Sequence, residues 1–409
     1  MKPMGPIPSG FAAGPTGRLT VGGEDVEALV ARVGDTPLFV YDFALIRKRI
    51  AELRAAMPSG LALHYAMKAN PMPSLVRAIA PLVDGLDIAS AGEMAVALTA
   101  GARHISFAGP GKRDRELEAA IWANVTVNLE SEGEAGRALA IGARLGMTPR
   151  LAVRVNPDFD LKGSGMRMGG GAKPFGVDAD RAAALVKSII AAGADWQGFH
   201  IFAGSQALDA AAIAQTQRET IGLAARLAED IGHAPPLVNI GGGFGIAYFG
   251  GDDPLDIHSV FSELEQVIES RPASLSRSRF AIELGRYLVG EAGVYLTRIV
   301  DRKTSHGETF LVTDGGLHHQ LAASGNFGTV VRRNYPVAIA SHFSAPAAET
   351  VSIVGCLCTP LDRLADQVSL PKAGVGDLVA VFLAGAYGFS ASPGNFLGHP
   401  PAAEMLLNA

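Results

Sequence analysis

The feature that most constrains the fold of this chain is a repeated alternation of short apolar segments with longer, alanine-rich segments of helical periodicity. Such alternation is typical of parallel strands joined by right-handed helical crossovers. Helical patterns occur, for example, at residues 93–100, 115–123, 133–145 and 210–231. Eight segments have the composition of buried strands: 62–67, 85–89, 104–108, 125–129, 150–155, 197–202, 237–240 and 280–284. This α/β pattern predicts a (β/α)8 barrel, with an open doubly wound sheet as the alternative.

The pattern of residues changes after residue 300. Helical periodicity weakens there, and Gly, Pro, Asn and Ser become frequent between strand-like runs. Strands are predicted at residues 309–313, 351–354 and 378–383, and also near the N-terminus at 17–21 and 37–41. We therefore predict three parts. Residues 1–35 form a loose N-terminal arm and a strand that joins the β domain, residues 36–299 form the barrel, and residues 300–409 form a C-terminal β-barrel or β-sandwich domain.

Composition excludes several classes of function. The 409 residues are 48% hydrophobic with a net charge of −5, and there is no basic run of the kind that binds nucleic acid or an anionic membrane surface. No apolar stretch is long enough to span a bilayer. The only two cysteines, Cys356 and Cys358, are too close in sequence for an ordinary structural disulfide. These features predict a cytoplasmic protein that binds neither nucleic acid nor membrane.

Polar residues fall consistently at the C-terminal ends of the predicted strands. In a barrel of this kind the chemistry gathers at that end, so these residues predict the site. They are Lys68 and Asn70 after strand one, Asp87, Ser90 and Glu93 after strand two, Arg154 and Asn156 after strand five, His200, Ser205 and Gln206 around strand six, Gly241–Gly245 after strand seven, and Glu283 and Arg286 after strand eight.

Three of these features indicate a phosphorylated aldehyde cofactor. Lys68 is either a solvated surface lysine or a desolvated amine that attacks an aldehyde. The run Gly241-Gly242-Gly243 is either an ordinary turn or a backbone cradle for phosphate, and no nucleotide-binding glycine motif accompanies it. Glu283 either pairs with Arg286 or keeps a pyridine nitrogen protonated, as pyridoxal chemistry requires.

The motifs of the whole chain resemble the diaminopimelate/ornithine decarboxylase family of fold-type III pyridoxal-phosphate enzymes. These enzymes have an alanine-racemase-like barrel and a C-terminal β domain. The resemblance spans residues 36–407, and its motifs occur in family order: Tyr65-Ala-Met-Lys-Ala-Asn70, Val153-Arg-Val-Asn-Pro157, Gly241-Gly-Gly-Phe244, Glu283-Leu-Gly-Arg286, Asp314-Gly-Gly316, Gly355-Cys-Leu-Cys358 and Gly385-Ala-Tyr-Gly388.

The resemblance implies a role for each matching residue. Lys68 would bind the cofactor aldehyde covalently, and Glu283 would pair with the pyridinium nitrogen. Cys358 would come from the second subunit of a homodimer with shared active sites and help to protonate the carbanion; without the resemblance it could be a small buried hydrophobe. Tyr387 could otherwise be a core tyrosine. The remaining implied residues are Ser205, Gly242, Gly243, Gly285, Arg286 and Tyr387 around the phosphate and substrate carboxylate, and Asp87 and Arg154 around the cofactor.

Two departures from the family pattern bear on the cofactor and the substrate. The histidine that usually stacks on the cofactor is replaced by Phe202, while His200 lies two residues earlier. Thr359 follows Cys358 where the family has an acidic residue for a distal ammonium, and Ala322 replaces an arginine that binds a distal carboxylate. The loss of both charges removes recognition of a doubly zwitterionic substrate.

The segments His318–Gly328 and Cys358–Asp362 resemble a subgroup that includes decarboxylases associated with exosortase A systems and decarboxylases of glutamyl-carrier proteins. We therefore predict a decarboxylase that does not act on free diaminopimelate. Its substrate would be another free amino acid or an aminoacyl group bound to a carrier protein. The residues predicted to contact this substrate are Arg286, Cys358, Thr359 and Tyr387. Diaminopimelate decarboxylase, a racemase and a non-catalytic cofactor carrier are the alternatives. The adjacent residues His318 and His319 do not predict a metal site, and the 163–171 loop is a candidate lid.

Overall fold

The structure is a computed structural model of the chain, and it describes residues 1–325 and 333–409. Contacts within the chain divide it into two compact units. The β unit comprises Met1–Arg49, Ile246–Pro254 and Arg286–Ala409, and the barrel unit comprises Ile50–Gly245 and Leu255–Gly285. These units divide the chain differently from the predicted boundaries after residues 35 and 299, which stay a prediction.

The strands of the described residues are short, and only one of them exceeds eight residues. In chain order they are β1 (Ala12–Ala13), β2 (Leu19–Val21), β3 (Glu24–Asp25), β4 (Leu38–Asp42), β5 (Leu61–Ala66), β6 (Gly85–Ile88), β7 (Ile105–Phe107), β8 (Thr126–Leu129), β9 (Arg150–Asn156), β10 (Met166–Arg167), β11 (Val177–Asp178), β12 (Asp195–Ile201), β13 (Gly204–Ser205), β14 (Leu237–Gly242), β15 (Arg279–Leu284), β16 (Gly293–Ser305), β17 (Glu308–Thr313), β18 (Val337–Ile339), β19 (Glu349–Val354), β20 (Arg363–Leu370), β21 (Leu378–Phe382) and β22 (Ala403–Leu407).

The helices are concentrated in the barrel unit. They are α1 (Val26–Val33), α2 (Phe43–Ala56), α3 (Pro73–Ile79), α4 (Ala91–Thr99), α5 (Asp114–Trp122), α6 (Glu132–Leu145), α7 (Ala179–Ala191), α8 (Ala210–Ile231), α9 (Ile257–Glu269) and α10 (Arg286–Val289). Short 3-10 turns occur at Met67–Ala69, Ala80–Leu82, Ala273–Leu275, Gly290–Ala292, Leu321–Ser324, Ala340–His342, Phe389–Ala391 and Phe396–Gly398. Within the described residues, no helix has the length and apolar character needed to cross a membrane.

Eight parallel strands of the barrel unit close into a barrel in the order β5-β6-β7-β8-β9-β12-β14-β15, with β15 returning to pair with β5. Every predicted barrel strand is present, so the predicted (β/α)8 fold is confirmed and the open doubly wound alternative is wrong. All residues of β6 and β8 are buried. Burial of both strand faces is expected where helices cover the outside and side chains fill the interior.

Local sequence signals fix where the helices around the barrel begin and end. The side chain of Asp209 accepts hydrogen bonds from two backbone N–H groups in the first turn of α8, and Gly232 ends that helix in a left-handed conformation with φ 79°. Ser131 and Gly146 act in the same way at the two ends of α6. Such caps satisfy backbone groups that a helix terminus leaves unpaired, and they hold each strand–helix connection at a defined residue.

The β unit contains one mixed sheet of eight strands. Strand β16 is its centre, because it pairs with β4, β17 and β21, while β22 adds to β4 in parallel. The predicted β domain is therefore confirmed, and the predicted strand at 37–41 joins it as β4. The predicted strand at 17–21 does not, since β2 pairs only with β1 and β3.

The N-terminal arm is not loose, contrary to the prediction from its Pro and Gly content. The backbone N–H of Lys2 donates to the carbonyl of Gln367 at 2.8 Å, and that of Gly5 donates to the carbonyl of Asn334 at 3.2 Å. The Lys2 ammonium also pairs with the Asp366 carboxylate. The arm is thus held by backbone pairing against the β unit, a contact between distant segments that local composition does not reveal.

Candidate active site

Lys68 lies directly after β5, in the 3-10 turn Met67–Ala69 at the carboxyl-terminal end of that strand. Its neighbours Met67 and Ala69 are buried, but Lys68 itself is exposed in this chain. The expectation of a desolvated amine is therefore wrong for the single chain. The Nζ atom lies 5.3 Å from the centroid of the Phe202 ring. The amine is accessible to an incoming aldehyde and stands next to an aromatic face.

Glu283 forms a buried hydrogen-bonded group with residues on the two strands that precede β15 in the barrel. His200 Nε2 donates to Glu283 Oε2 at 2.6 Å, and Asn239 Nδ2 donates to the same oxygen at 3.4 Å. All three side chains are buried. The arrangement follows from the register of the sheet, because His200 on β12 is paired with Asn239 on β14.

The surroundings of Glu283 keep its carboxylate charged. Burial alone would raise the pKa of Glu283, but the adjacent His200, with Lys68 and Arg154 at longer range, lowers the pKa from 4.5 to about 2. A buried carboxylate that stays ionised favours a cationic partner, because an uncompensated buried charge is costly. The group therefore suits a protonated ring nitrogen.

Asp87 lies at the end of β6 and is paired with a buried histidine that the sequence did not single out. His64 Nδ1 lies 3.2 Å from Asp87 Oδ1, and the other carboxylate oxygen has no hydrogen-bond partner in the part of the chain that the structure describes. Burial acts to lower the pKa of His64, but the Asp87 carboxylate raises it above 6.5. Asp87 therefore presents one engaged oxygen and one oxygen able to accept a further hydrogen bond.

Arg154 on β9 is held by another residue that the sequence did not single out. Its Nη1 donates to Glu130 Oε1 at 3.0 Å. The same carboxylate accepts the backbone N–H groups of Gly109 at 2.6 Å and Gly176 at 2.8 Å. Glu130 thereby fixes the Arg154 guanidinium and two loops at once, and Arg154 helps to hold the pKa of Glu130 below its ordinary value against the effect of burial.

The glycine-rich turn after β14 is built so closely that side chains do not fit. A Cβ atom on Gly242 would lie 2.0 Å from the carbonyl oxygen of Glu283. Gly243 has a left-handed φ of +84°, and a Cβ atom there would lie 2.5 Å from the carbonyl oxygen of Gly204. A Cβ atom on Gly285 would meet Ala69 at 2.8 Å. A turn without Cβ atoms lets backbone N–H groups approach an anion, as a phosphate cradle requires.

Ser205 lies beside this turn and is covered by the segment that was predicted to be a lid. Strand β13, which contains Ser205, pairs antiparallel with β10 from the 163–171 loop. Two further bonds hold the loop, since the N–H of Met168 donates to the carbonyl of Ala203 at 3.0 Å and that of Gly165 donates to the carbonyl of Gln206 at 3.3 Å. The candidate lid is thus attached to the end of strand six by backbone pairing.

Arg286 and Tyr387 belong to the β unit, where they form an aromatic and cationic cluster with Tyr248. The Arg286 Nη1 donates to the hydroxyl of Tyr248 at 2.8 Å, and its guanidinium carbon lies 4.7 Å from the centroid of the Tyr387 ring. The Arg286 Nε has no hydrogen-bond partner among the described residues. Tyr387 adopts a left-handed φ of 55° and is partly exposed, so it is not a core tyrosine.

The residues predicted to contact substrate from the β unit include a free thiol. Cys358 is exposed and unbridged, so it is not a buried hydrophobe. Thr359 lies in a turn in which its hydroxyl accepts the N–H of Leu361 at 3.4 Å and its backbone N–H donates to the carbonyl of Leu357 at 2.8 Å. Ala322 lies in the 3-10 turn Leu321–Ser324 and contributes only a methyl group.

The residues of the barrel unit fit pyridoxal phosphate on three independent observations. Lys68 offers an accessible primary amine, Glu283 offers a buried carboxylate kept ionised, and Gly242 and Gly243 form a turn that any Cβ atom would obstruct. The two rings near the end of strand six, His200 and Phe202, have different neighbours. The His200 ring is bonded to Glu283, whereas the Phe202 ring stands next to the Lys68 amine.

Sequence reasoning did not single out Asn239, Glu130, His64 or Tyr248, each of which orients a predicted residue. Asn239 had a local signal that could have revealed it. It stands two residues before Gly241, the first residue of the glycine-rich run, and its side-chain oxygen accepts the N–H of Gly241 at 2.9 Å. An asparagine that caps its own turn two residues later is a recognisable pattern. Glu130, His64 and Tyr248 have no comparable local signal.

Comparisons with known proteins agree with this geometry. A family model for the pyridoxal binding domain of pyridoxal-dependent decarboxylases matches residues 43–290. The L-glutamyl-[BtrI acyl-carrier protein] decarboxylase of Niallia circulans is 35% identical over 390 residues, which cover 93% of this chain and 91% of that protein. The diaminopimelate decarboxylase of Archaeoglobus fulgidus is 33% identical over 401 residues, covering 96% of this chain and 92% of that protein.

A solved structure extends the similarity to the fold of nearly the whole chain. The diaminopimelate decarboxylase of Helicobacter pylori complexed with L-lysine matches with a TM-score of 0.82 at 26% sequence identity, and the match covers 94% of each chain. Both the relatives and the solved structure thus resemble this chain across the barrel and the C-terminal sheet.

Proposed function

Because this chain belongs to the pyridoxal-dependent decarboxylase family, it is an amino acid carboxy-lyase that uses pyridoxal phosphate, and we propose that its substrate is an aminoacyl group on a carrier protein, not free diaminopimelate. One observation carries this proposal. The two positions at which related enzymes place charges for the distal end of a diamino acid are Ala322 and Thr359, and both are neutral.

The charged side chains next to Thr359 in sequence do not replace the missing charges. The Asp362 carboxylate accepts the backbone N–H groups of Leu317 at 2.7 Å and Leu357 at 2.8 Å. Arg363 is paired with Asp366. A free diamino acid would therefore bring a distal ammonium and a distal carboxylate to neutral groups, and burying charges without partners costs several kcal/mol.

The relative from Niallia circulans supports a carrier-bound substrate, because its own substrate is an L-glutamyl group on an acyl-carrier protein. A group joined to a carrier through its distal end has lost the charge at that end, and a methyl group and a hydroxyl group can line such a linkage without an ion pair. The neutral side chains of Ala322 and Thr359 thus suit a substrate whose distal end is extended and uncharged.

The residues of the barrel unit would divide the work of the reaction among them. When bound, pyridoxal phosphate supplies an electron sink for the electrons released as the carboxylate leaves. Lys68 would hold the cofactor through its aldehyde and would be a base or acid near the reacting carbon. Glu283, which stays ionised, would stabilise a proton on the ring nitrogen, and His200 holds the carboxylate in position through the bond of 2.6 Å.

Cys358 completes the proposed site as a proton donor from the second subunit of a homodimer. Its exposed, unbridged thiol is free to act at a neighbouring surface. A dimer of this kind predicts that subunits with different defects restore each other. A Lys68→Ala chain and a Cys358→Ser chain, each inactive alone, would form a mixed dimer with one complete site. Activity no higher than that of either variant would show that each chain holds its own Cys358.

Diaminopimelate decarboxylase is the second candidate function. The Archaeoglobus fulgidus enzyme is 33% identical over 96% of this chain, and the structural match to the Helicobacter pylori enzyme also covers 94% of it. These similarities extend over nearly the whole chain, whereas the substrate positions 322 and 359 differ from the family pattern. The racemase and cofactor-carrier alternatives have no comparable support.

Carbon dioxide release decides between the two candidates. Purified enzyme is incubated with free diaminopimelate, lysine, ornithine or glutamate, and separately with aminoacyl groups loaded on carrier proteins. We expect turnover only of a carrier-bound group. Thr359→Glu combined with Ala322→Arg should introduce weak turnover of diaminopimelate, and Thr359→Ser is the matched control that keeps the hydroxyl. Rapid turnover of free diaminopimelate by the unmodified enzyme would overturn the proposal.

A further inference from the structure

Outside the residues considered so far, the β unit brings together three side chains that are typical metal ligands. His318, Cys356 and His399 each offer one ligand atom, and these atoms all lie within 4.8 Å of one another. The Cys356 Sγ is 3.8 Å from Nδ1 and 3.9 Å from Nε2 of His399, and the rings of His318 and His399 have centroids 5.2 Å apart. Two imidazoles and one thiolate are the donor types that zinc prefers.

His318 gives an independent reason to place a ligand here. It is fully buried, with 0% of its surface exposed, and neither of its ring nitrogens has a hydrogen-bond partner among the residues that the structure describes. A neutral imidazole has one nitrogen that donates and one that accepts, and leaving either unsatisfied in the interior costs free energy. A metal ion would satisfy the accepting nitrogen. No other contact within the described residues does so.

The backbone around the cluster is held by two neighbours that are already satisfied. The Asp362 carboxylate accepts the N–H groups of Leu317 and Leu357, which adjoin His318 and Cys356, and so it fixes the two segments side by side. His319 Nε2 donates to the carbonyl of Pro400 at 2.9 Å, and this bond holds the segment that contains His399. The ligands would therefore be positioned before an ion arrives.

We propose that His318, Cys356 and His399 form a zinc site in the β unit, with the fourth coordination position open to water or a small ligand. In a tetrahedral zinc site the sulfur and nitrogen ligands are roughly 3.6 Å apart. The Cys356 sulfur is 3.8 and 3.9 Å from the two nitrogens of the His399 ring, so a rotation of that ring that points one nitrogen at the ion would bring the pair to the required geometry. Binding converts the Cys356 thiol, which now donates to the carbonyl of Asp314 at 3.3 Å, to a thiolate and releases one proton.

The location of the site gives it a consequence for the enzyme. Cys356 stands two residues before the exposed thiol of Cys358 and three before Thr359. A zinc ion that ties Cys356 to His318 and His399 would fix the turn in which both of these residues lie. The site would act on Cys358 and Thr359 through the position of that turn, without itself contacting substrate.

The test uses purified holoenzyme that has been treated with a chelator, freed of it, incubated with zinc chloride and passed through a desalting column. Metal analysis should find about one zinc per chain. Cys356→Ser and His399→Gln should weaken zinc binding at least about tenfold, because the loss even of residues that only support metal ligands costs that much. Cys358→Ser is the matched thiol control and His342→Gln, at a surface histidine paired with Asp377, is the matched imidazole control, and both should keep the zinc.

Cobalt(II) in place of zinc gives a second measurement, and its first result comes from the wild-type protein alone. Tetrahedral coordination with a thiolate ligand produces strong visible bands in wild-type protein, and Cys356→Ser should abolish them while Cys358→Ser leaves them. The proposal would be overturned by the absence of these bands in the wild type, by zinc well below one per chain, or by loss of zinc in Cys358→Ser with retention in Cys356→Ser.

Discussion

Two buried histidines of this chain, His200 in the barrel unit and His318 in the β unit, differ in how many of their ring nitrogens are hydrogen-bonded. His200 has one bonded nitrogen, Nε2, and its Nδ1 has no partner among the described residues, whereas neither nitrogen of His318 is bonded. His200 donates to the Glu283 carboxylate at 2.6 Å, within a group that also includes Asn239. His318 is buried just as deeply, yet neither ring nitrogen has a hydrogen-bond partner in the ranges 1–325 and 333–409. His200 holds the charged carboxylate of Glu283, which is part of the protein. His318 could bind a metal ion, which would have to come from solution.

The difference shows how buried polar groups indicate function. A buried charge with a strong partner reports which protonation state the fold maintains, and here it is the ionised form of Glu283. A buried polar group without a partner costs about 1–3 kcal/mol and is retained where something else recovers that cost. The barrel unit is therefore built around a fixed charge, and the cluster in the β unit is built around an available coordination site.

The largest expected effect is at Lys68. Its substitution tests whether the barrel unit that contains Glu283 and His200 binds an aldehyde cofactor. Lys68→Ala should lower carbon dioxide release by at least about a thousandfold, because it removes both the covalent attachment and a proton-transfer group. The absorbance of the cofactor bound to the lysine should disappear. The control is Lys187→Ala, at an exposed lysine on α7. An active Lys68→Ala enzyme would contradict the assignment of the cofactor site.

Glu283→Gln removes the negative charge of this side chain but nearly preserves its shape. We expect the rate of decarboxylation to fall by roughly a hundredfold, since the neutral amide no longer stabilises the proton on the cofactor ring while the cofactor itself stays bound. The measurement is a turnover rate together with the cofactor absorbance. Asn239→Ala is the comparison, because it removes the bond of 3.4 Å to Glu283 and the bond of 2.9 Å from the N–H of Gly241 but no charge, and it should cost less. Equal losses for both variants would show that the charge is not decisive.

The charge of Glu283 also predicts how stability depends on acidity. Its pKa is about 2 in the folded chain against 4.5 ordinarily, so its stabilising effect is complete above pH 4.5 and is lost as the pH falls towards 2. The effect is on the order of 3 kcal/mol. Denaturant unfolding of wild-type protein and Glu283→Gln between these pH values should show the two stabilities converging in acid. Curves that stay parallel would mean that His200 does not hold the carboxylate ionised.

Much of the barrel unit could be predicted because its signals are local. Each strand is a short apolar run, and helices such as α6 and α8 begin at a capping Ser131 or Asp209 and end at a glycine. Strand β16 could not be predicted, because its first half is buried and its second half is exposed, so no single periodicity runs through it. The pairing of the N-terminal arm with Gln367 and Asn334 likewise depends on residues far away in sequence.

The same distinction applies to the sites. Lys68 and Glu283 were found because an ionisable residue at the end of an apolar strand is conspicuous within a few residues. The cluster of His318, Cys356 and His399 was not, since its members come from three separate segments and no spacing rule connects them. The adjacency of His318 and His319 argued against a metal site, but only His318 joins the cluster, while His319 is bonded to Pro400 and to Tyr295.

The smallest expected effect is the most direct test of whether the unbonded ring nitrogens of His318 destabilise the metal-free protein. In protein kept free of metal by a chelator, His318→Leu should raise the free energy of unfolding by about 1 kcal/mol, because an apolar side chain of similar size replaces an imidazole with unpaired nitrogens. The matched variant is His319→Leu at the next residue. It should lower stability, because it removes the hydrogen bonds that His319 makes with the carbonyl of Pro400 and the hydroxyl of Tyr295. With zinc present the sign at position 318 should reverse, since the wild type alone then gains from the ion. Urea unfolding of the wild type and the two variants, with and without zinc, measures these free energies of unfolding. A loss of stability in metal-free His318→Leu would mean that the imidazole is already satisfied, and the contrast with His200 would disappear.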